Sequence, residues 1–249
     1  MAITVPLNTG KARTAGATSL DVSFGSLPSA GDAIIAAVAN WKSTTRHTFV
    51  NTEVTDNQGG SSGSYVEDLN IPQYVPESDA GLVSRLNISS PSGTFTVTYT
   101  TNPSESIEIT MGAIAARAVM TSSAKDVSAT NTGVASPLNT GTTASTAQAD
   151  ELAVAFGIWS QDTNPATVGT PSGYTVIWTE GDWTYMLGGA YYKILSAIGT
   201  QNASWTVTPV YVNYWAAGIV TYKGTGVPGV LWPRKKRLRP WPFAPGIAQ

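Results

Sequence analysis

Paired carboxylates are the residues of this sequence whose types and spacing could do chemistry by themselves. Two acidic side chains that flank a glycosidic bond can serve as general acid and as base or nucleophile in glycoside hydrolysis. A regular strand would direct Glu105 and Glu108 to opposite faces, because they are an odd number of residues apart. No catalytic signature surrounds any pair, and we predict that the chain is not an enzyme. The close pairs are Glu67 and Asp68, Glu105 and Glu108, Asp150 and Glu151, and Glu180 and Asp182.

The single histidine and the lack of cysteine exclude further classes of site. His47 would be the base of a serine hydrolase, but the sequence holds no Gly-x-Ser-x-Gly elbow around a nucleophile. Without cysteine there are no disulfides, thiolate nucleophiles, zinc knuckles or iron–sulfur clusters. We therefore predict that His47 lies at the surface or at a sheet edge, and that the protein has no cofactor.

The loop Asp56-Asn57-Gln58-Gly59-Gly60 offers oxygen atoms and flexible glycines, which calcium accepts. Calcium sites usually gather several carboxylates, whereas this loop has Asp56 and at most Glu53 nearby. An Asx turn that closes a hairpin needs only Asp56. We predict the turn, and no metal site.

Aromatic residues gather in the second half of the chain. Aromatic rings on β-sandwiches can stack on sugars, and aromatic residues are also enriched in subunit contacts. Core packing is the alternative for such residues. The residues that we expect to contact either a glycan or a second subunit are Trp178, Trp183, Tyr185 and Tyr191.

The C-terminal segment 227–249 mixes basic residues, aromatic residues and prolines. Five of the 14 basic residues and five of the 15 prolines lie after Gly224, with no acid, so that residues 1–229 carry a formal charge of −7 and the tail +5. Because prolines at this density exclude an interior strand or a helix, we predict an extended tail. Interleaved aromatic residues favour docking into a groove of a protein partner over nucleic-acid binding, with solvated disorder as the alternative. The expected docking residues are Trp232, Arg234, Lys235, Lys236, Arg237, Arg239, Trp241 and Phe243.

Short strands must position these residues. Leu20–Phe24 and Phe95–Tyr99 alternate apolar and polar residues, which is typical of half-buried strands. The segment Ala33–Ala39 is continuously apolar, as a strand covered on both faces would be, although its alanines would also suit a helix. Hydrophobic residues make up 42% of the chain and charged residues only 12%, and turn signals such as Ser90-Pro91-Ser92-Gly93 recur. The pattern predicts an all-β protein, an antiparallel β-sandwich or jelly roll.

The sequence also indicates an internal duplication. A shift of 118 residues aligns Ala17, Leu20, Asp32 and Trp41 with Ala135, Leu138, Asp150 and Trp159. The shift is smaller farther along the chain: Arg85 aligns with Lys193 at 108, Phe95 with Trp205 at 110, and Ala113 with Gly218 at 105. Loop deletions in a true repeat produce such a decrease. We predict a body over residues 1–226 with halves 1–122 and 123–226, either sharing one core or forming two subdomains.

The pattern of Gly31-Asp32 followed by an apolar run, together with the closing strand 217–224, resembles the duplicated lamin-G/concanavalin-like jelly rolls of phage virion and bacterial surface proteins. The resemblance covers residues 1–224 and implies no catalytic residue. It leads us to expect a non-enzymatic virion structural protein, a capsid decoration or head-surface protein, that binds a major capsid protein or another virion protein and forms homo-oligomers. A carbohydrate-binding or adhesin module is the alternative, and a glycoside hydrolase is the third reading.

No targeting segment is visible in the sequence. Residues 1–10 lack a charged region followed by an apolar region, and the run Ala33–Ala39 is far shorter than the ~20 residues of a membrane-spanning helix. We expect a protein that is made in the host cytoplasm, reaches the virion surface and has no contact with a membrane.

Overall fold

The computed structural model describes residues 1–9, 12–41, 48–60, 64–71, 78–101, 107–161, 166–180, 187–208 and 212–226. In the first half the strands are β1 (Thr4–Asn8), β2 (Ala12–Ala17), β3 (Ser19–Ser23), β4 (Ala33–Trp41), β5 (Val54–Asp56), β6 (Val66–Ile71), β7 (Ser78–Arg85), β8 (Thr96–Thr100) and β9 (Ile107–Arg117). In the second half they are β10 (Lys125–Gly133), β11 (Leu138–Asn139), β12 (Glu151–Gln161), β13 (Thr167–Val168), β14 (Thr175–Glu180), β15 (Leu187–Leu195), β16 (Ser204–Trp205), β17 (Val207–Thr208) and β18 (Val212–Lys223). One 3-10 turn, Asn51–Glu53, precedes β5. The predicted all-β, antiparallel fold is confirmed.

Two large sheets contain most of the strands. The first sheet has the order β1-β9-β4-β7-β6, with β2 also paired to β9, and the second has the order β10-β18-β12-β15-β14. A three-stranded sheet, β3-β8-β5, accompanies the first, and the short pairs β11-β16 and β13-β17 accompany the second. When the five strands of each order are ranked by their position in the chain, the two large sheets have the same strand order.

Three apolar clusters hold these layers together. The central cluster lies between the two large sheets and includes Ile35, Leu82, Ile114, Val154, Phe156, Trp178 and Val220. The first outer cluster lies between the first sheet and the three-stranded sheet and includes Val22, Phe24, Ile34, Val83, Phe95 and Tyr99. The second outer cluster lies against the short strand pairs and includes Leu138, Ala153, Trp159, Tyr191, Trp205 and Ile219.

Strand β4 shows why its sequence is continuously apolar. Ile35 faces the central cluster and its neighbour Ile34 faces the first outer cluster, because successive side chains of a strand point to opposite faces. Both faces of this run are buried, and so a polar side chain there would be costly without a hydrogen-bond partner. Asn40, the next residue of the strand, is buried and has such a partner in the Tyr99 hydroxyl. The prediction of a strand covered on both faces is confirmed.

The two halves meet in the central cluster. Leu82 of the first half and Phe156 of the second half belong to the same buried group. The chain ends of the body also meet, because the Met1 ammonium donates a hydrogen bond to the Gly226 carbonyl over 2.8 Å and the Ile3 amide donates one to Asp150 Oδ1 over 3.2 Å. The body thus contains a core built from both halves, while the boundaries of domains stay a prediction.

Strand register corrects part of the sequence alignment. Ile34 pairs with Arg85 and Ala153 pairs with Lys193, which places β12 positions 119 residues after their β4 equivalents if Arg85 and Lys193 correspond. A one-residue slip sends every side chain of a strand to the other face. The predicted match of Trp41 with Trp159 is therefore wrong: Trp41 packs against the central cluster and Trp159 lies in the second outer cluster.

Candidate functional site

Many of the predicted site residues lie outside the described residues. This applies to the whole tail, and so to every expected docking residue. It also applies to His47, Glu105, Asp182, Trp183 and Tyr185.

The other two aromatic candidates lie in the cores, which corrects their expected role as surface contacts. Trp178 is 2% exposed and packs edge-on against Phe156, with ring centroids 6.0 Å apart, in the central cluster. Tyr191 is fully buried, contacts Trp205 at 5.2 Å between ring centroids, and donates a hydrogen bond to the Gly169 carbonyl over 2.9 Å. Both rings are buried, and so neither is presented to a glycan or to a second subunit.

The loop at Asp56 is an Asx turn, as predicted. It does not close a hairpin, because β5 pairs with β8 while the next strand, β6, belongs to the first large sheet. Asp56 Oδ1 accepts hydrogen bonds from the amides of Gln58 and Gly60 over 2.8 and 2.9 Å. Its Oδ2 accepts hydrogen bonds from the Tyr65 hydroxyl over 3.0 Å and from Arg85 Nη1 over 2.5 Å. Because the carboxylate is buried and four protein donors already use it, it stabilises the turn and is not presented to a cation.

A second buried polar network lies near the end of β4. Asn40 Nδ2 donates to the Tyr99 hydroxyl over 3.0 Å, and this hydroxyl donates to Glu53 Oε2 over 3.0 Å. Burial, and next the charge of Glu53, raises the pKa of Tyr99. Nearby, Asp79 Oδ2 accepts the amide of Phe49 over 2.8 Å. These polar groups fix the segment that leads into β5, and the apolar sequence around Asn40 gave no signal for them.

The carboxylate pairs are divided by burial. Asp150 and Glu151 enter β12, where Asp150 binds the Ile3 amide and Glu151 is fully buried. Glu180 is buried, and its partner Asp182 lies outside the described residues, as Glu105 does. Glu67 is exposed beside a buried Asp68. In the described part of the chain, no two of these carboxylates share an open cleft.

Asp68 is a buried acid that lies beside a pocket. It is the extra residue of a β-bulge in the edge strand β6, between the pairs Glu67–Val83 and Leu69–Leu82. Bulges commonly redirect a side chain. The Tyr222 hydroxyl of the second sheet donates a hydrogen bond to Asp68 Oδ2 over 2.7 Å, and Lys125 Nζ donates one to the main-chain carbonyl of Asp68.

The environment of the Asp68 carboxyl is largely apolar. The residue is 5% exposed. Burial raises the pKa of Asp68, and hydrogen bonds from Ser84 and Tyr222 and the charge of Lys125 partly offset that rise. The carboxylate thus has two hydroxyl donors, and the charge of Lys125 acts on it without a direct ion pair. These interactions offset only part of the cost of burying its negative charge.

The pocket beside Asp68 has a volume of about 190 Å³. A cavity of ~150 Å³ can admit a molecule the size of benzene. The pocket therefore has room for a small molecule of about six non-hydrogen atoms, and combines a carboxyl group, hydroxyls and aliphatic walls. Its lining residues are Val66, Asp68, Ser84, Leu86, Ser123, Ala124 and Lys125.

The other large sheet shows that the fold does not need a carboxylate here. Its edge strand β14 has the same bulge, between the pairs Val176–Tyr191 and Trp178–Ala190, and the bulged residue is Ile177. Ile177 is buried in the central cluster. The sequence singled out Asp68 as half of a carboxylate pair, but the bulge and the contact with Tyr222 depend on pairing between distant segments.

Two further searches concern the described residues alone. No group of three or more His, Cys, Asp or Glu side chains in these ranges is placed to hold a metal ion. None of the described segments forms a helix of the length and apolarity that would span a bilayer. Comparisons of the chain with protein-family models, with curated proteins and with solved structures find no match.

Proposed function

We propose that the protein is a non-enzymatic structural component of a virus particle, a capsid decoration or head-surface protein. In this proposal residues 1–226 form a rigid body, and residues 227–249 dock that body on a major capsid protein or another virion protein. The observation that carries it is the layered body with a core shared by both halves, from which a tail of opposite charge departs.

The charges and aromatic residues of the tail support a docking role for the tail that is separate from the role of the body. Gly226, the last described residue before the tail, is held against the body by a hydrogen bond from the Met1 ammonium. Apolar anchors in the tail, Trp232, Trp241 and Phe243, would supply affinity, and its basic residues would select an acidic surface. Residues 1–229 carry a formal charge of −7 and the tail carries +5. Attraction between the tail of one copy and the body of another would also favour homo-oligomers.

The duplication belongs to this proposal. We infer that the body is a jelly-roll-like sandwich built from two repeated halves, related to the lamin-G/concanavalin-like proteins. The shared strand order of the two large sheets and the matching bulges at Asp68 and Ile177 support this inference.

The glycan-binding alternative has lost part of its basis. Two of its four candidate aromatic residues, Trp178 and Tyr191, lie in cores. It now depends on Trp183 and Tyr185. A glycoside hydrolase has no open pair of carboxylates to support it among the described residues.

Association with particles tests the proposal. Particles purified from the virus that encodes the chain should carry it at a fixed copy number per particle, measured by quantitative mass spectrometry. Trp241→Ala should lower the bound amount at low and at high salt, because apolar contacts are not screened. Lys235→Ala, the matched control, should lower it only at low salt. Particles without the chain, or equal binding of both variants and wild type, would contradict the proposal.

A further inference from the structure

We propose that the pocket beside Asp68 binds the ammonium group and the short alkyl chain of an aliphatic amine. The inference goes beyond the proposed function and does not depend on the tail, since every residue that carries it belongs to the body.

The first argument is the unbalanced charge of Asp68. Its carboxylate receives hydrogen bonds from the hydroxyls of Tyr222 and Ser84, whereas Lys125 Nζ bonds to the main-chain carbonyl of the same residue. Among the described residues, no ion pair reaches the Asp68 carboxylate. A buried carboxylate is costly unless a cation pairs with it, and an ammonium group in the pocket would supply that cation.

The second argument is the shape and chemistry of the walls. The aliphatic side chains of Val66 and Leu86 and the methyl group of Ala124 line the same pocket. Val66 is 61% exposed and lies on the edge strand β6, two residues before the bulged Asp68. A chain of four to six carbon atoms fits a volume of about 190 Å³ and would cover these walls. Small-molecule sites typically combine such apolar walls with a few polar groups that fix orientation.

The third argument is the comparison of the two bulges. In the second sheet the bulged residue is Ile177, packed in the central cluster. A strand with the same bulge is therefore built without a carboxylate, so that the acid at Asp68 is not a requirement of the edge-strand geometry. Asp68 instead places a buried acidic residue in the lining of a pocket.

Binding of n-butylammonium to the full-length protein tests the proposal, measured by isothermal titration calorimetry and by amide chemical shifts. We expect saturable binding of n-butylammonium, with shifts around Asp68 and Ala124, and no saturable binding of n-butanol or butyrate. Asp68→Asn should weaken binding by about tenfold or more, as loss of a charged hydrogen-bond partner does. The control Asp21→Asn, which removes an exposed carboxylate on β3, should leave binding unchanged.

Lys125→Met keeps the proposal testable if Asp68→Asn fails to fold. Removing the neighbouring positive charge should strengthen butylammonium binding about two- to fivefold, because like charges repel at this range. Absence of saturable binding by the wild-type protein, equal binding by Asp68→Asn, or weaker binding by Lys125→Met would overturn the proposal.

The source of the amine is a separate arm of the same experiment. Nα-acetyl-lysine N-methylamide carries the same butylammonium group on a peptide backbone. If it binds as well as n-butylammonium, the site takes a lysine side chain of a protein. If only n-butylammonium binds, the site takes a free aliphatic amine. Either result supports the alkylammonium site.

Discussion

Tyr222, on strand β18 of the second sheet, donates a hydrogen bond over 2.7 Å to Asp68, on the edge strand β6 of the first sheet. The two residues are 154 positions apart in the chain, and their contact crosses the layer that the two halves share. Asp68 also lines the pocket that we propose as an amine site. One contact therefore links the packing of the halves to the electrostatics of that pocket.

Tyr222→Phe should destabilise the fold. The change removes a hydrogen bond to a buried charged group, which typically contributes about 1.5–3 kcal/mol, and leaves the ring in place. Chemical denaturation at neutral pH measures the free energy of unfolding. Tyr192→Phe, on a ring packed against the same central cluster, should change it by less than about 0.5 kcal/mol. Equal effects of the two substitutions would show that the bond to Asp68 contributes nothing specific.

The contribution of Glu151 to the stability of the protein should fall as the pH rises from acid toward neutral. Burial raises the pKa of Glu151 from its ordinary 4.5, and Asp126 raises it further, while the Thr221 hydroxyl opposes the rise. The folded state then binds the proton more tightly than the unfolded state. The stabilisation is complete below pH 4.5 and is lost as the pH rises through the raised value.

Glu151→Gln should therefore flatten this pH dependence and raise the melting temperature near pH 7. Asp126→Asn should act in the same direction with a smaller effect, because it removes only a later-ranked cause of the shift. Thermal melts from pH 4 to pH 8 test both. A wild-type stability that increases through this range, with no difference in slope for Glu151→Gln, would contradict the assignment.

Gly81→Ala should destabilise the first outer cluster. A Cβ at Gly81 would lie 2.3 Å from the ring of Phe49, and that ring is held by stacking on Tyr99 at 5.9 Å. Overpacking of this kind costs about 1–3 kcal/mol. Gly25→Ala is the matched control, because a Cβ there meets nothing within 4 Å. Denaturation midpoints that move equally for both variants would argue against tight packing at Phe49.

Both halves of the body should unfold in one transition. The central cluster contains Leu82 from the first half and Phe156 from the second, so that loss of one half exposes the core face of the other. Phe156→Ala should cost about 3–5 kcal/mol and should lower the melting temperature of the whole body. Differential scanning calorimetry checks this expectation. Two transitions, of which Phe156→Ala moves only one, would show that the halves unfold separately.

The strands could be predicted because their patterns are local. Alternation in Leu20–Phe24 and the apolar run Ala33–Ala39 correspond to β3 and β4. The alignment of the halves was less accurate, because similarity at Trp41 and Trp159 outweighed the alternation of faces. For the proposed repeat, residue similarity does not distinguish a shift of 118 from a shift of 119, and the distinction requires the register of β4 and β12.

The candidate site could be predicted only in part. Glu67 and Asp68 stood out as adjacent acids, but the burial of Asp68 depends on a bulge against β7 and on Tyr222, which lies far along the chain. Trp178 is followed by the polar residues Thr179 and Glu180, and so its sequence context favours a surface position. Its burial follows from the packing of the second sheet on the first, which no local pattern encodes.

Particle binding by the chain cut after Gly226 tests the central claim most directly. The full-length protein and the truncated body would be added at equal concentration to particles that lack the chain, and the bound copies counted after sedimentation. The account predicts that the truncated body melts within a few degrees of the full-length protein and does not bind, because the tail provides the docking contacts. Full occupancy by the truncated body would contradict the account and would place the docking surface on the body itself.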